Sequence, residues 1–154
     1  MRLDIDPSPN VGDYPFRHQI RVRFAETDAM GIVHHSRYLP YLEEARVAYL
    51  RHIDHPYTEW QAVGLDSAVL EAYLRYVKPL RFDDIVDVHL MLGASTRTTF
   101  QMAYLLTVDG TTAATAVTVH AMVNGQGRPT RLPDWLVEMG AQVVTRQPNM
   151  LRSR

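Results

Sequence analysis

Hydrophobic residues change their spacing along the chain, from alternation to helical intervals and back to alternation. Between positions 17 and 25, Ile20, Val22 and Phe24 alternate with polar residues, which predicts a short strand. Apolar residues then recur every three or four positions, which predicts a helix over residues 36–52 that is buried along most of its length. This apolar stripe consists of Tyr38, Leu42, Ala45, Tyr49 and Ile53.

The ends of the predicted helix are marked by residues that favour helix boundaries. Ser36 is expected to cap the helix, and Pro40 is tolerated only in a first helical turn. The segment Asp54-His55-Pro56 ends the helix, and a short second helix is expected over residues 57–63.

Alternation with a period of two returns after this second helix. It predicts strands over residues 66–77, 85–92, 99–108 and 113–123, with a hairpin at Asp109-Gly110. A closing helical turn is expected over residues 134–139. We expect residues 17–144 to form a single domain, residues 1–16 a flexible leader and residues 145–154 a mobile tail. One long helix followed by antiparallel strands is an α+β arrangement.

Composition narrows the class of protein. With 154 residues, 46% of them hydrophobic, the chain can bury a substantial core. A formal net charge of −1 argues against a nucleic-acid-binding protein. Without cysteine, disulfides, thiolate metal sites and cysteine nucleophiles are excluded, which suits a reducing cytoplasm. No segment has the apolar length needed for a membrane helix or a signal peptide, so we expect a cytoplasmic protein.

The candidate chemistry lies between the first strand and the long helix. Asp28 falls in a short turn, and His35 stands at the start of the helix. A carboxylate facing a helix N-terminus can add water, or itself, to a carbonyl carbon while a backbone amide stabilises the oxyanion. A turn aspartate can also serve only to bond the amides that follow it. The Asp28 turn and the helix start at His35 together favour thioester hydrolysis as the function.

Four blocks of sequence carry a family resemblance: residues 28–39 with 43–46, residues 76–84, residues 97–101, and Arg128-Pro129 before Leu132-Pro133. The first block, Asp28-Ala29-Met30-Gly31-Ile32-Val33-His34-His35-Ser36-Arg37-Tyr38-Leu39, is the most specific. Together the blocks resemble hotdog-fold acyl-CoA thioesterases, in the branch of 4-hydroxybenzoyl-CoA thioesterase and the Tol-Pal-associated acyl-CoA thioesterases.

This resemblance implies a hotdog fold, in which an antiparallel sheet of about five or six strands wraps one long central helix. It implies an obligate dimer, or a dimer of dimers, with two active sites at the subunit boundary. It also implies that Asp28 is the catalytic carboxylate and that the backbone amide of His35 polarises the thioester carbonyl. One departure is that His34 stands where many relatives carry tyrosine.

Further candidate residues follow from the same blocks. Glu43 lies beside the apolar stripe and is a candidate for contacting and orienting the catalytic groups without touching the substrate. Arg97 and Arg128 are candidates for binding the phosphates of coenzyme A, because guanidinium groups pair well with phosphates; Lys78, Arg81 and Arg131 are weaker ones. The spacing of the histidines suits no metal, so neither a metal nor an organic cofactor is expected beyond the coenzyme A of the substrate.

Several alternatives remain open at the level of sequence. Asp28 can act as nucleophile or as general base, and the carrier can be coenzyme A or acyl carrier protein. A hotdog-fold acyl-thioester hydratase or dehydratase is a second enzyme class, although the spacing of Asp28 to His34 or His35 is longer than in the hydratase motif. A third possibility is a non-catalytic acyl-thioester-binding protein. The acyl group itself is not indicated.

Overall fold

A computed structural model describes the backbone of residues 6–146 and the side chains of residues 6–142. Five strands and three helices follow one another along the chain. In order they are β1 (Phe16–Arg21), α1 (Tyr38–His52), α2 (Tyr57–Ala62), β2 (Leu65–Tyr76), β3 (Ile85–Ser95), β4 (Thr99–Val108), β5 (Thr111–Asn124) and α3 (Asp134–Arg146).

All five strands belong to one antiparallel sheet in the order β1-β3-β4-β5-β2. Strand β2 pairs with β5 on one side, from Leu65 opposite Asn124 to Tyr76 opposite Ala114, and forms one edge of the sheet. This edge strand is unusually apolar for its exposure, since Val69, Leu70 and Tyr73 are each half exposed.

Helix α1 lies against one face of the sheet and fills the core. Tyr41, Leu42 and Ala45 are buried in a cluster with inward-facing residues of β4, including Phe100 and Tyr104. The opposite face of the helix is open, because the sheet of a single chain covers only one side: Leu39, Glu43 and Glu44 are exposed. The architecture is the α+β hotdog arrangement, with five strands. The predicted burial along most of the length of the helix is confirmed for one face, where buried residues run from Tyr38 to Leu50.

Two boundaries differ from the sequence-based prediction for local reasons. The first strand ends at Arg21 rather than residue 25, because Phe24–Glu26 forms a 3-10 turn closed by the Glu26 carboxylate. Ser36 does not cap the helix. The His34 ring instead caps the 3-10 turn His35–Arg37 that precedes α1, because its Nδ1 accepts a hydrogen bond from the Ser36 backbone N–H at 3.3 Å.

The ends of the chain are more structured than the pattern suggests where the structure describes them. Within the predicted leader, Val11–Asp13 forms a 3-10 turn, and Tyr14 packs with Met91 and Leu105. The predicted closing turn at 134–139 is the start of the longer helix α3, which includes the first two residues of the predicted tail. Residues 1–5 and 147–154 lie outside the described residues. No helix in the described part is long and apolar enough to cross a membrane.

Candidate active site

Asp28 is held at the tip of a small closed hairpin between β1 and α1. Its backbone N–H donates to the Ile32 carbonyl at 2.8 Å, and its carbonyl accepts from the Gly31 N–H at 2.9 Å. Gly31 closes the turn with φ of 72°, in the left-handed region that glycine adopts without strain. An antiparallel bridge between Thr27 and Val33 completes the hairpin. The position of the Asp28 backbone is therefore fixed by local hydrogen bonds.

The Asp28 carboxylate is only partly engaged by its own turn. Oδ1 accepts a hydrogen bond from the Met30 backbone N–H at 2.8 Å, which is the structural use expected of a turn aspartate. No described residue donates a hydrogen bond to Oδ2. The side chain is half buried and lines a cavity of about 350 Å³. One carboxylate oxygen is thus oriented by the turn, and the other is available to a ligand.

His35 brings a free backbone donor to the same cavity. It is the first residue of the 3-10 turn that leads into α1, where backbone N–H groups lack intrahelical acceptors. No described residue accepts a hydrogen bond from the His35 backbone N–H. The helix dipole adds partial positive charge at this end. The cavity therefore has a carboxylate and a site for negative charge in its wall.

The remaining walls are mostly apolar and come from the Asp28 hairpin, the start of α1, and the end of β2 with the residues that follow it. Tyr76 fixes the entry of the helix, because its hydroxyl donates to the His35 carbonyl at 3.2 Å. Burial raises the pKa of the Tyr38 hydroxyl, which stays protonated. The apolar lining is supplied by Met30, Ile32, Val33, Val77 and Pro79.

Lys78 is the one basic side chain of this lining apart from His35. It is the only lysine of the chain and lies two residues after the end of β2. From sequence it is a weaker candidate than Arg97 and Arg128, because its position at the cavity depends on how β2 pairs with β5. The structure places a flexible ammonium group within the same pocket as Asp28.

Arg97 and Arg128 lie at the other end of the sheet from Asp28. Arg97 is in the turn between β3 and β4, and its carbonyl accepts from the Leu132 N–H at 3.0 Å. Arg128 follows β5, and its carbonyl accepts from the Asn124 N–H at 2.9 Å. Strand β4 separates the two ends by about 30 Å at 3.3 Å per residue. Both arginines therefore share one end of the sheet, away from the cavity of their own chain.

Glu43 does not line the Asp28 cavity. Its side chain is 72% exposed, and its carboxylate lies 3.9 Å from the guanidinium of Arg46. Both residues border a second cavity of about 380 Å³ between α1 and the first half of β2. The proposed support of the catalytic groups by Glu43 thus remains a prediction. Among the residues with described side chains, no three His, Asp or Glu are grouped to hold a metal ion.

The chain matches known proteins over most of its length. Residues 22–140 match the model of the thioesterase-like superfamily. A putative esterase of Aquifex aeolicus is 42% identical over 81% of this chain and 97% of its own length. A 1,4-dihydroxy-2-naphthoyl-CoA hydrolase of Synechococcus elongatus is 30% identical over 82% of this chain and 96% of its own.

Solved structures agree with these matches. A thioesterase of Thermus thermophilus, crystallised with coenzyme A and zinc, superposes with a TM-score of 0.73. It is 29% identical, over 85% of this chain and 95% of that one.

Proposed function

Because the chain belongs to the thioesterase-like superfamily, we propose that it hydrolyses acyl-CoA thioesters at the cavity shared by Asp28 and His35. The observation that carries this proposal is that one cavity is lined by a carboxylate with an oxygen to which no described residue donates, and by a residue whose backbone N–H has no acceptor in the described part of the chain. Hydrolysis of a thioester needs both, a group that delivers an oxygen nucleophile and a donor that stabilises the oxyanion. The products are a free carboxylic acid and coenzyme A.

Two routes use this arrangement. In the first, an Asp28 oxygen attacks the carbonyl carbon, the carbon–sulfur bond breaks, and water hydrolyses the resulting mixed anhydride. In the second, Asp28 removes a proton from a water molecule, which attacks the carbon directly and displaces the thiolate. In both, the His35 N–H donates to the carbonyl oxygen as its negative charge develops. Rapid-quench kinetics separate the routes, because only the anhydride route releases thiol before acid.

Coenzyme A is the carrier we propose, because named relatives act on CoA thioesters and one related thioesterase was crystallised with coenzyme A. Lys78 is suited to contact an anionic part of this carrier at the cavity. Acyl carrier protein shares the phosphopantetheine arm. Thiol release measured with one acyl group on both carriers decides between them.

We further propose a homodimer formed along the free edge of β2. Its support is the exposed apolar surface of this edge strand, which a second copy would cover. An antiparallel pairing of two β2 strands about a two-fold axis sets the Tyr76 end of one beside the Leu65 end of the other. That pairing brings the end of the sheet with Arg97 and Arg128 next to the partner's Asp28 cavity. We propose these arginines as ligands of the nucleotide phosphates in that arrangement.

The direct test is the Asp28→Asn variant in a thiol-release assay over short, medium, long and aromatic acyl-CoAs. We expect kcat to fall at least about a hundredfold, as for loss of a positioned base or nucleophile. Near wild-type turnover of the variant would disprove the role of Asp28. Absence of thiol release from every wild-type substrate would favour a binding protein, and a change in absorbance at a carbon–carbon double bond would favour a hydratase.

A further inference from the structure

A buried carboxylate that the reaction does not use lies directly beside the catalytic turn. Glu26 is only 7% exposed, two residues before Asp28. Its Oε2 accepts from the Arg23 backbone N–H at 2.8 Å and from the Tyr41 hydroxyl at 2.5 Å. Its Oε1 accepts from Nε and Nη2 of Arg23 at 3.0 and 2.8 Å. Both oxygens are therefore fully hydrogen-bonded.

The backbone of Glu26 joins the two catalytic segments. Its carbonyl accepts a hydrogen bond from the His34 N–H at 2.9 Å, which closes the hairpin that bears Asp28. His34 directly precedes His35, so one bond fixes the spacing of the turn and the helix start. The Tyr41 hydroxyl adds a link to the body of α1, because Tyr41 is buried within that helix. Glu26 thus contacts the turn, the helix start and the helix.

Stability alone is a weak explanation for such a group. The Arg23 side chain is 80% exposed, so its ion pair with Glu26 is screened by solvent and offsets little of the cost of burying the carboxylate. Catalysis, in contrast, depends steeply on geometry, and a misplacement of 1 Å can lower a rate by about a hundredfold. A fully bonded carboxylate between turn and helix supplies that geometric precision.

We propose that Glu26 is a positioning residue, which holds the Asp28 turn in register with the helix start of His35 through its bond to Tyr41. This inference rests on the proposed hydrolysis at Asp28. Neither Glu26 nor Tyr41 lines the cavity, so neither touches the reacting atoms. Both act through the placement of the residues that do.

The protonation states of Glu26 and Tyr41 favour a lasting hydrogen bond between them. Burial raises the pKa of the Glu26 carboxyl, but hydrogen bonds from Tyr41 and Arg23 outweigh it and hold the pKa below its usual value. Burial, with the hydrogen bond to Glu26, raises the pKa of the Tyr41 hydroxyl far above neutrality. The pair therefore remains a carboxylate and a phenol around neutral pH.

The test compares Tyr41→Phe with the matched control Tyr49→Phe. Both variants remove one hydroxyl from a buried tyrosine of α1, but Tyr49 makes its ring contact with Phe16, remote from the turn. We expect Tyr41→Phe to lower kcat about tenfold or more with KM for acyl-CoA unchanged, and Tyr49→Phe to leave both constants unchanged. Because Tyr41→Phe removes a bond to a buried carboxylate and lowers Tm, kinetics are measured at a temperature at which thermal unfolding shows both variants to be fully folded. Equal kcat values for the two variants would overturn the proposal.

A double-mutant cycle shows whether the effect passes through Asp28. In the Asp28→Asn background, Tyr41→Phe should lower kcat at most about twofold, because the carboxylate that Tyr41 helps to align is already absent. If Tyr41→Phe lowers kcat by the same factor with Asp28 and with Asn at position 28, the proposal that Glu26 and Tyr41 position Asp28 is overturned. Failure of the hydrolysis proposal is distinguishable, because Asp28→Asn by itself would then retain wild-type turnover. Glu26→Gln, which keeps the shape of the side chain, should be impaired in kcat to a degree similar to Tyr41→Phe.

Discussion

Asp28 lies in the turn of a closed hairpin, His35 directly follows that hairpin, and both residues line the cavity at the start of α1. The Asp28 carboxylate has one oxygen bound by its own turn, and the His35 amide has no acceptor among the described residues. Backbone hydrogen bonds within the hairpin set the local path between them, and the buried bond between Glu26 and Tyr41 ties the hairpin to α1. Substitutions at these two positions therefore report on chemistry with little disturbance of the fold.

The first prediction separates the His35 ring from its backbone amide. His35→Ala removes only the ring, whereas His35→Pro removes the ring and the N–H. Proline is compatible with a first helical position, and His34 already has the extended backbone (φ −61°, ψ 137°) that precedes proline. We expect His35→Pro to lower kcat by about 10²- to 10³-fold, the effect of losing one oxyanion donor. His35→Ala should be affected much less.

Steady-state kinetics on both variants, with circular dichroism to check the fold, make this comparison. If His35→Ala is as inactive as His35→Pro while folded, the ring has a chemical role and the amide assignment is wrong.

The second prediction concerns the edge of β2. Tyr73→Glu places a charge on the exposed apolar strand and should convert the proposed dimer into a monomer. Val137→Glu is the control, because Val137 is also exposed but lies on α3. Light scattering coupled to size-exclusion chromatography measures the mass of each variant. A wild-type protein that is monomeric and fully active would contradict the proposed assembly.

The third prediction tests whether the arginines act across the dimer. Asp28→Asn chains and chains with Arg97→Glu and Arg128→Glu are refolded as a mixture. Half of the dimers should then be hybrids, each with one complete site, which gives about a quarter of wild-type activity at low acyl-CoA concentration. Arginines that act within their own chain give no complete site, and activity equal to the mean of the two parents would exclude the trans arrangement.

Local signals in the sequence are sufficient for much of the fold and for the core of the site. Strand β4 is predicted with both boundaries correct, because alternation runs uninterrupted up to the Asp109-Gly110 hairpin. The proximity of Asp28 and His35 also follows from local sequence, since a single turn joins them. The end of β1 does not follow from local sequence. Val22 lies outside the strand and donates its backbone N–H to the carbonyl of Asp84, 62 residues later, at 2.9 Å.

The position of the basic residues depends on the topology of the sheet, which periodicity does not specify. Arg97 and Arg128 come from separate loops and share one end of the sheet only because β3, β4 and β5 are neighbours. Lys78 reaches the Asp28 cavity because β2 crosses to the far side of β5. No sequence pattern indicates the role of Glu26. Its partner Tyr41 lies fifteen residues later, and only the folded structure shows that the two side chains are in contact.

The last prediction concerns stability in acid. His120 is fully buried, stacks on Phe100, and its Nε2 lies 2.7 Å from the Thr118 hydroxyl. Burial, together with the nearby charge of Arg46, lowers the pKa of His120 to about 3. The unfolded chain has the ordinary value near 6.5, so between these two values the unfolded state binds the extra proton. The free energy of unfolding must therefore fall as the pH drops from about 6.5 towards 3.

At pH 5 this linkage amounts to about 2 kcal/mol relative to pH 7. Urea unfolding at the two pH values measures it. In His120→Gln, which keeps a polar group beside Thr118, the loss of stability between pH 7 and pH 5 should be smaller than in the wild type by that amount. His52→Gln, at an exposed position of α1, makes the same substitution outside the core and serves as the control. If the His120 variant loses as much stability as the control, the buried imidazole is not the group that titrates.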